Sequence, residues 1–189
     1  MSILLLVILI IVGLGLLVFL GLLAYTLIMY NKFISLRNTI ENSFNQIRVA
    51  LKKRLDMLSE LMETVGSYAK FEKSTLAEVT KLRKMNISSV KDVRKVDAST
   101  RSLVGTIMAV MENYPNLKTM DAVKDLTNSI QSVEQEISRL RYLYNDEVQT
   151  FNVLVERIPT NLIAGLFGFK KKEYLQFEEN VEKRPNIKF

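Results

Sequence analysis

Residues 3–24 read ILLLVILIIVGLGLLVFLGLLA, an unbroken run of aliphatic, Phe, Gly and Ala residues. A helix that crosses a bilayer needs ~20 mostly apolar residues, so this run is long enough to span one. A signal peptide would have basic residues first and a shorter apolar core, but only Ser2 lies between Met1 and the run. A buried helix of a soluble domain would need apolar partners that the rest of the chain lacks. We predict a transmembrane helix from Ile3 to Leu27, within an anchor of residues 1–31.

Charged residues occur only after this run. The 189 residues include 26 Lys or Arg and 20 Asp or Glu, and every one of them follows residue 31. Lys32 and Arg37 lie just C-terminal to the span, whereas no basic side chain precedes it. The positive-inside rule therefore predicts that the N-terminus is outside and that residues 32–189 lie in the cytoplasm.

The composition excludes several classes of enzyme. The chain has no Cys and no His, so disulfide frameworks, thiolate nucleophiles and Ser-His-Asp triads are ruled out, together with Cys- or His-based metal sites. Acidic pairs such as Glu60 and Glu63 match no EF-hand loop, and Gly165–Gly168 lacks the full phosphate-loop pattern. We predict no catalytic residue, no cofactor and no metal site, and hence a protein that is not an enzyme.

Apolar residues after the anchor recur at steps of three or four, the spacing of one buried face on an amphipathic helix. They are Phe33, Leu36, Ile40, Phe44, Ile47, Leu51, Leu55, Leu58, Met62, Val65 and Ala69. The pattern continues less regularly and predicts a first helix that ends near Lys84. Gly66 is its weak point and a possible hinge, since Gly in a helix costs ~1 kcal/mol relative to Ala.

Two further helices are predicted downstream. Polar and β-branched residues make Asn86–Asp97 read as a loop, and a second helix follows over Ala98–Tyr114. A third helix is predicted over Met120–Arg157, with Thr119 as its N-cap and Pro159 as its stop.

Three apolar faces of this kind close a helix-bundle core. The predicted fold is all-α, with an N-terminal transmembrane helix leading into a long-helix antiparallel helical bundle. Residues 32–158 form the cytoplasmic bundle, and residues 159–189 form a C-terminal short helix and tail. Because the second predicted helix is short, part of the first apolar face, Phe33 to Leu51, is expected to lack an internal cover. A second copy would cover it, so we predict a homo-oligomer.

Amide side chains lie beside these apolar faces. Asn38, Asn42 and Gln46 share one side of the first helix, and Asn145 and Asn152 are seven residues apart on the third. They form a candidate interhelical polar seam, since paired buried amides fix helix register. The alternative is that these amides bind water at the edge of the bundle.

The segment 161–172 has too many apolar residues for an exposed loop and ends in three lysines. Its candidate membrane or bundle-capping residues are Leu162, Ile163, Leu166, Phe167, Phe169, Lys170, Lys171 and Lys172. One hypothesis places the segment on the anionic cytoplasmic leaflet. The favoured alternative is a short helix that folds back and caps the open end of the bundle.

Basic residues are also concentrated elsewhere. Lys52–Arg54 is one patch, and residues 81–101 contain seven basic and two acidic side chains. We do not expect nucleic acid as a partner, because no aromatic residues are interleaved with the basic ones and no nucleic-acid motif is present. We interpret these patches as solvated or facing anionic lipid.

Several of these motifs together resemble the LemA family. The N-terminal block comprises Tyr30–Phe33, Leu36–Asn38, Glu41-Asn42, Gln46-Ile47, Leu51–Arg54, Glu63–Val65 and Tyr68-Ala69 with Glu72. The C-terminal block comprises Tyr144-Asn145, Phe151-Asn152, Pro159, Asn161–Ala164, Phe167–Phe169, Pro185 and Phe189. Phe44 stands where the family usually has Trp, and residues 86–125 match more loosely.

The resemblance implies a single-pass protein of the bacterial inner membrane with a cytoplasmic antiparallel bundle and no established catalytic activity. A magnetosome-associated branch of the family implies a role in shaping or organising membrane. We predict a scaffold that organises protein or lipid, with membrane lipid and its own copies as partners and the protein partner unidentified. A signalling adaptor whose bundle binds a partner helix is the alternative, followed by an enzyme with a carboxylate site.

Overall fold

A computed structural model describes residues 3–176, apart from the side chain of Lys118. This part of the chain consists of helices joined by short turns and contains no strand, which confirms the predicted all-α class. The helices are α1 (Ile3–Gly66), α2 (Lys73–Lys84), α3 (Val90–Glu112), α4 (Pro115–Thr119), α5 (Asp121–Glu156) and α6 (Thr160–Phe167).

The described residues divide into two compact units. The first contains residues 3–42 and 146–172, and the second contains residues 43–145 and 173–176. Helices α1 and α5 contribute residues to both units. The domain boundaries predicted after residues 31 and 158 stay predictions, and the predicted tail from residue 177 onward lies outside the described residues.

The first unit combines the start of α1, the end of α5, α6 and the residues that follow it. Large hydrophobic side chains of residues 3–23 are between 45% and 85% exposed, so no protein surface covers them in this unit. This part of α1 is long and apolar enough to cross a membrane. Phe33, Ile40 and Phe151 are buried and form the core of the unit.

The second unit is a bundle of α1, α3 and α5; α2 packs beside α1 and α3, where Arg83 pairs with Asp56, and α4 contacts α3. Phe44 packs against Tyr144 with ring centroids 6.2 Å apart, and Arg54 pairs with Glu134. Residues later in α1 contact residues earlier in α5, so the two helices are antiparallel. This orientation was open in the sequence and agrees with the predicted antiparallel bundle. The buried core residues include Ile47, Leu51, Leu55, Leu58, Val65, Val96, Leu103, Ile107, Ile130, Val133, Ile137 and Leu140. Each fully buried aliphatic side chain contributes ~1.5–3 kcal/mol relative to its exposed state.

The first helix ends earlier than predicted. Helix α1 stops at Gly66, the predicted weak point, and α2 begins only at Lys73. The amides of Tyr68 and Ala69 both donate to the carbonyl of Val65, which turns the chain out of the helix. Ala69 is buried within that turn and holds it against the bundle.

The predicted loop Asn86–Asp97 is mostly wrong, because α3 begins at Val90. Ser89 is its N-cap: the Ser89 hydroxyl accepts a hydrogen bond from the Asp92 amide, while the Asp92 carboxylate accepts from the Ser89 amide. This reciprocal capping box satisfies amides that otherwise lack partners at a helix start. Hydrogen bonds from Ser89 and Ser88 hold the pKa of Asp92 below its usual value.

The boundaries of the last two predicted helices also shift. Helix α3 ends at Glu112 rather than Tyr114, and Pro115 starts the extra helix α4 as its first residue. Thr119 belongs to α4, where its hydroxyl donates to the Asn116 carbonyl, so it does not cap α5. A proline fits the first position of a helix because the amide it lacks would have no helical partner there.

The expectation that the Phe33–Leu51 face lacks an internal cover is wrong. Phe33, Ile40, Ile47 and Leu51 are each at most 4% exposed. The expectation considered the short second helix, whereas in the first unit α5 and the residues after α6 cover Phe33. The predicted homo-oligomer therefore needs another physical basis.

Candidate functional site

Five aromatic side chains meet in the first unit where the apolar run of α1 ends. The ring of Phe169 stacks on that of Phe33 at 4.6 Å, and Phe151 packs edge-on against Phe33 at 5.6 Å. Tyr30 contacts Phe167 at 4.7 Å and Phe169 at 6.0 Å. We call these five residues the aromatic cluster. Each aromatic pair contributes ~0.5–1.5 kcal/mol beyond its buried area, so the cluster holds α6 and the residues after it against α1.

Backbone geometry at both ends of α6 sets its direction. At its start, the Thr160 hydroxyl lies 2.6 and 2.9 Å from the carbonyls of Leu154 and Arg157, at the end of α5. At its end, Gly168 adopts a left-handed conformation with φ of 71°, which favours glycine because it has no Cβ. The amide of Phe169 then donates to the carbonyl of Ala164. The chain therefore reverses after α6 and brings Phe169 into the aromatic cluster.

Helix α6 has one buried face and one exposed face. Ile163 and Ala164 are 7% and 1% exposed, so they pack into the first unit. Leu162 and Leu166 are 72% and 75% exposed, and Ile158, four residues before Leu162, is 77% exposed. Leu162 and Leu166 are four residues apart within α6, so we call these two residues the apolar face of α6. The structure thus places the predicted capping residues Ile163 and Phe169 inward and leaves Leu162 and Leu166 without a protein partner among the described residues.

Positive charge surrounds this end of the first unit. Lys32, Arg157 and the consecutive Lys170, Lys171 and Lys172 are all exposed. Glu156 forms an ion pair with Lys171, and the pair is exposed on both sides. The other cations leave a local positive surface beside the apolar face of α6.

Asn152 holds the extended residues after α6 in the first unit. Its Nδ2 donates to the Lys172 carbonyl at 2.9 Å, and its Oδ1 accepts from the Lys172 amide at 2.8 Å. Asn145 makes the same pair of bonds in the second unit, with the carbonyl and amide of Leu175 at 3.0 and 2.9 Å. Each asparagine side chain therefore donates to and accepts from one backbone residue, as the backbone of a neighbouring β-strand would.

The prediction that these amide side chains pair with one another across helices is wrong. Asn145 and Asn152 bond to the C-terminal backbone rather than to amides on α1, and Asn38, Asn42 and Gln46 are exposed. The prediction failed because nothing in the helical pattern indicates that an extended segment returns along α5. Asn145 and Asn152 do share one face of α5, and that face contacts the C-terminal segment.

Further contacts attach the C-terminal residues within the second unit. The Tyr144 hydroxyl donates to the Glu173 carbonyl at 3.0 Å. Arg94 donates to the Tyr174 carbonyl at 2.8 Å and to the Glu173 carboxylate at 3.0 Å. Burial raises the pKa of Tyr144, the Glu173 charge raises it further, and Arg94 partly opposes both.

A buried ionic cluster joins α1, α3 and α5 in the second unit. The Arg54 side chain is 0% exposed and lies 2.8 Å from the Asp97 carboxylate, and it also bonds to Glu134 and to the Thr100 hydroxyl. Arg101, about half exposed, pairs with Asp97 at 3.2 Å and with Glu134 at 3.0 Å. Two cations thus face two carboxylates, and we call these four residues with Thr100 the ionic cluster.

The ionic cluster corrects the prediction that Arg54 belongs to a solvated or lipid-facing patch. Lys52 and Lys53 are exposed, but Arg54 is buried. Its position three residues after Leu51 and four before Leu58 was the signal, because it falls on the buried helical face. Among residues 3–176, no group of three or more acidic side chains is arranged to hold a metal ion.

An apolar groove of about 290 Å³ opens between α3 and α5 in the second unit. Val104, Met108 and Ile130 line it, and the Arg101–Glu134 pair lies at one end. The Thr127 hydroxyl in its wall is buried without a hydrogen-bond partner. Methionine adapts its shape to varied apolar partners, so the groove suits an apolar side chain from another molecule.

Comparisons with known proteins converge on one family. The model of the LemA family matches residues 43–189 of the chain. The Magnetosome proteins MamQ 1 and MamQ 2 of Paramagnetospirillum magneticum are each 34% identical over 80 residues. Protein LemA of Metamycoplasma hominis is 26% identical over 137 residues.

These matches cover the relatives to different extents. The MamQ alignments include 42% of this chain and 29% of each relative, and the Metamycoplasma alignment includes 71% of this chain and 63% of that relative. The chain therefore spans less than a third of the MamQ proteins and just under two thirds of the LemA protein.

Proposed function

Because this chain belongs to the LemA family, we propose that it is a non-enzymatic, membrane-anchored helical scaffold. It organises protein or lipid at the inner face of a bacterial membrane, a role that extends to membrane shaping. One observation carries the proposal: the single helix α1 contains both the uncharged apolar run and the residues Ile47, Leu51 and Leu58 of the bundle core. The element that enters the bilayer is thus the element on which the bundle is built.

The proposed topology places the N-terminus outside and residues 32–189 in the cytoplasm of a single-pass protein. Lys32 and Arg37 support this orientation because basic residues flank spanning helices on the cytoplasmic side. Membrane association itself is supported by the apolar helix and by the similarity to the Magnetosome proteins MamQ.

Cysteine accessibility tests the topology, because the chain contains no native cysteine. Ser2→Cys should react with a membrane-impermeant maleimide on intact spheroplasts, and Tyr142→Cys, 71% exposed on α5, should react only after lysis. Labelling of Tyr142→Cys before lysis would overturn the orientation. Recovery of a mature protein free of membrane would overturn the anchor.

We also propose that the scaffold works as a homo-oligomer. Anchoring every copy in one membrane plane with the same orientation raises their effective concentration, so weak side-by-side contacts suffice. Cross-linking in native membranes, followed by detergent extraction and sizing, should give a ladder of this polypeptide alone. A strictly monomeric protein at high concentration would contradict the oligomer.

The α3–α5 groove favours one alternative, a signalling adaptor whose bundle binds a partner helix. Met108 lies in the groove, so a photo-crosslinker at this position should capture a stoichiometric foreign protein if the adaptor function is correct. A crosslinker at the exposed Tyr142, outside the groove, is the matched control. Capture of only this chain, or equal capture at both positions, would favour the scaffold.

A further inference from the structure

We infer that the apolar face of α6 rests on the anionic cytoplasmic leaflet, so that the protein contacts the bilayer at a second place beside its span. This inference rests on the proposed anchoring by α1. The occupant of the face is the lipid surface, with Leu162 and Leu166 among the headgroups and acyl boundary. Helices of this type bury their apolar face ~5–10 Å into the interface.

Contacts inside the first unit place α6 at the depth of the membrane–water interface. Tyr30 lies three residues after Leu27, the predicted end of the span, which is about 4.5 Å along a helix. Tyr30 contacts Phe167, the last residue of α6, at 4.7 Å. Tyr side chains concentrate at membrane–water interfaces, so this contact ties α6 to the depth of the headgroups.

The path of α5 agrees with this placement. Phe151 of α5 meets Phe33, and five residues later the helix ends at Glu156. The chain then passes to Phe167, which meets Tyr30, a residue nearer the span than Phe33. The turn that carries Ile158 thus points toward the side of the unit from which the span leaves.

Packing within the first unit accounts for the buried apolar residues of this segment, and contact with lipid accounts for the exposed ones. Ile163 and Phe169 have protein partners, whereas Leu162, Leu166 and Ile158 are more than 70% exposed. Leu162 and Leu166 are exposed on one face of α6, and Ile158 is exposed in the turn before it; apolar exposure of this kind marks an interaction surface. The two sequence-based alternatives for this segment are therefore compatible, since each concerns a different face.

The charge near the apolar face of α6 favours a membrane over a second copy of the chain as the partner of that face. Lys32, Arg157, Lys170 and Lys172 are exposed and belong to the same unit as the apolar face of α6. A second copy bound face to face would bring its own cations against these, which is destabilising. An anionic leaflet offers the opposite charge, and each lysine near such a surface favours binding about five-fold at room temperature.

The test uses the full-length chain in lipid nanodiscs with a fluorescent bimane on single cysteines. Leu162→Cys and Leu166→Cys probe the apolar face, and Thr150→Cys is the exposed control on α5 in the same unit. Doxyl groups on lipid chains quench bimane at the bilayer, and iodide quenches it in water. With anionic lipid, both leucine positions should be quenched by doxyl lipid and protected from iodide, whereas Thr150→Cys should show the reverse.

A charge variant tests the contribution of the lysines. Lys170→Gln with Lys172→Gln removes two cations but keeps Lys171, which pairs with Glu156. The equilibrium constant for binding of α6 to the bilayer should fall about 25-fold on anionic lipid and change little on zwitterionic lipid. Lys52→Gln with Lys53→Gln, two exposed lysines of the second unit, is the matched control and should leave the docking unchanged.

A probe at Leu16→Cys, within the apolar run, separates the two possible failures. Doxyl quenching at Leu16 combined with iodide quenching at Leu162 and Leu166 would overturn this inference and leave the anchor intact. Iodide quenching at Leu16 would overturn the proposed anchoring itself. Protection from both quenchers at Leu166 would mean that protein covers the face, which also contradicts the lipid contact.

Discussion

Replacing Arg54 with alanine should destabilise the second unit by an amount set by the ionic cluster. Arg54 is fully buried and bonds to the carboxylates of Asp97 and Glu134 and to the Thr100 hydroxyl. Its removal leaves Asp97, only 3% exposed at its side chain, with a buried negative charge. Loss of one partner of a buried ion pair costs ~3–5 kcal/mol.

The remaining contacts place the expected loss at the lower end of that range. Arg101 still pairs with both Asp97 and Glu134, but it is about half exposed, and exposed pairs contribute only ~0–1 kcal/mol. We therefore expect a loss of about 3 kcal/mol. For a chain of this size, each kcal/mol lowers Tm by ~2–4 °C, so Tm should fall by about 6–12 °C.

Thermal and urea unfolding of the full-length protein in detergent, followed by circular dichroism at 222 nm, measures this loss. Lys53→Ala, at the exposed neighbouring position, is the control and should change Tm by no more than about 1–2 °C. Arg54→Met combined with Asp97→Asn and Glu134→Gln removes the unpaired charges and should recover most of the stability. A Tm for Arg54→Ala equal to that of Lys53→Ala would refute the role of the cluster.

Other predictions concern the C-terminal attachment and the aromatic cluster. Asn152→Ala removes two backbone hydrogen bonds and should cost ~1–3 kcal/mol and speed proteolysis after α6, whereas Asn42→Ala at an exposed position should do neither. The raised pKa of Tyr144 favours its neutral form in the folded state, so this contribution to stability is present below pH ~10 and is lost as pH rises through the folded pKa. Tyr144→Phe should therefore flatten the alkaline arm of a Tm–pH profile, and an unchanged arm would contradict this. Phe169→Ser should lower Tm more than Phe167→Ser, because Phe169 stacks on a buried ring and Phe167 is 46% exposed; equal losses would argue against the stacking.

Local features of the chain were sufficient to predict the class of fold. The uncharged run before Lys32 and the recurrence of apolar residues such as Leu51 and Leu58 require only the period of a helix, and the structure contains both helical features. Element ends were less predictable. The capping box depends on two side chains, Ser89 and Asp92, and α3 therefore begins within a stretch whose composition predicted a loop.

Burial and partners of polar groups depend on residues far apart in sequence. Arg54 and Lys53 are adjacent cations in the chain, yet only Arg54 faces Asp97 and Glu134, which lie on two other helices. Likewise, Asn145 and Asn152 mark a polar face on α5, but their partner is a backbone that returns after Gly168 turns the chain. Helical periodicity specifies which face of an element is buried, whereas the group that meets it is specified only when all elements pack together, because a buried charge or amide is stable only where that partner stands.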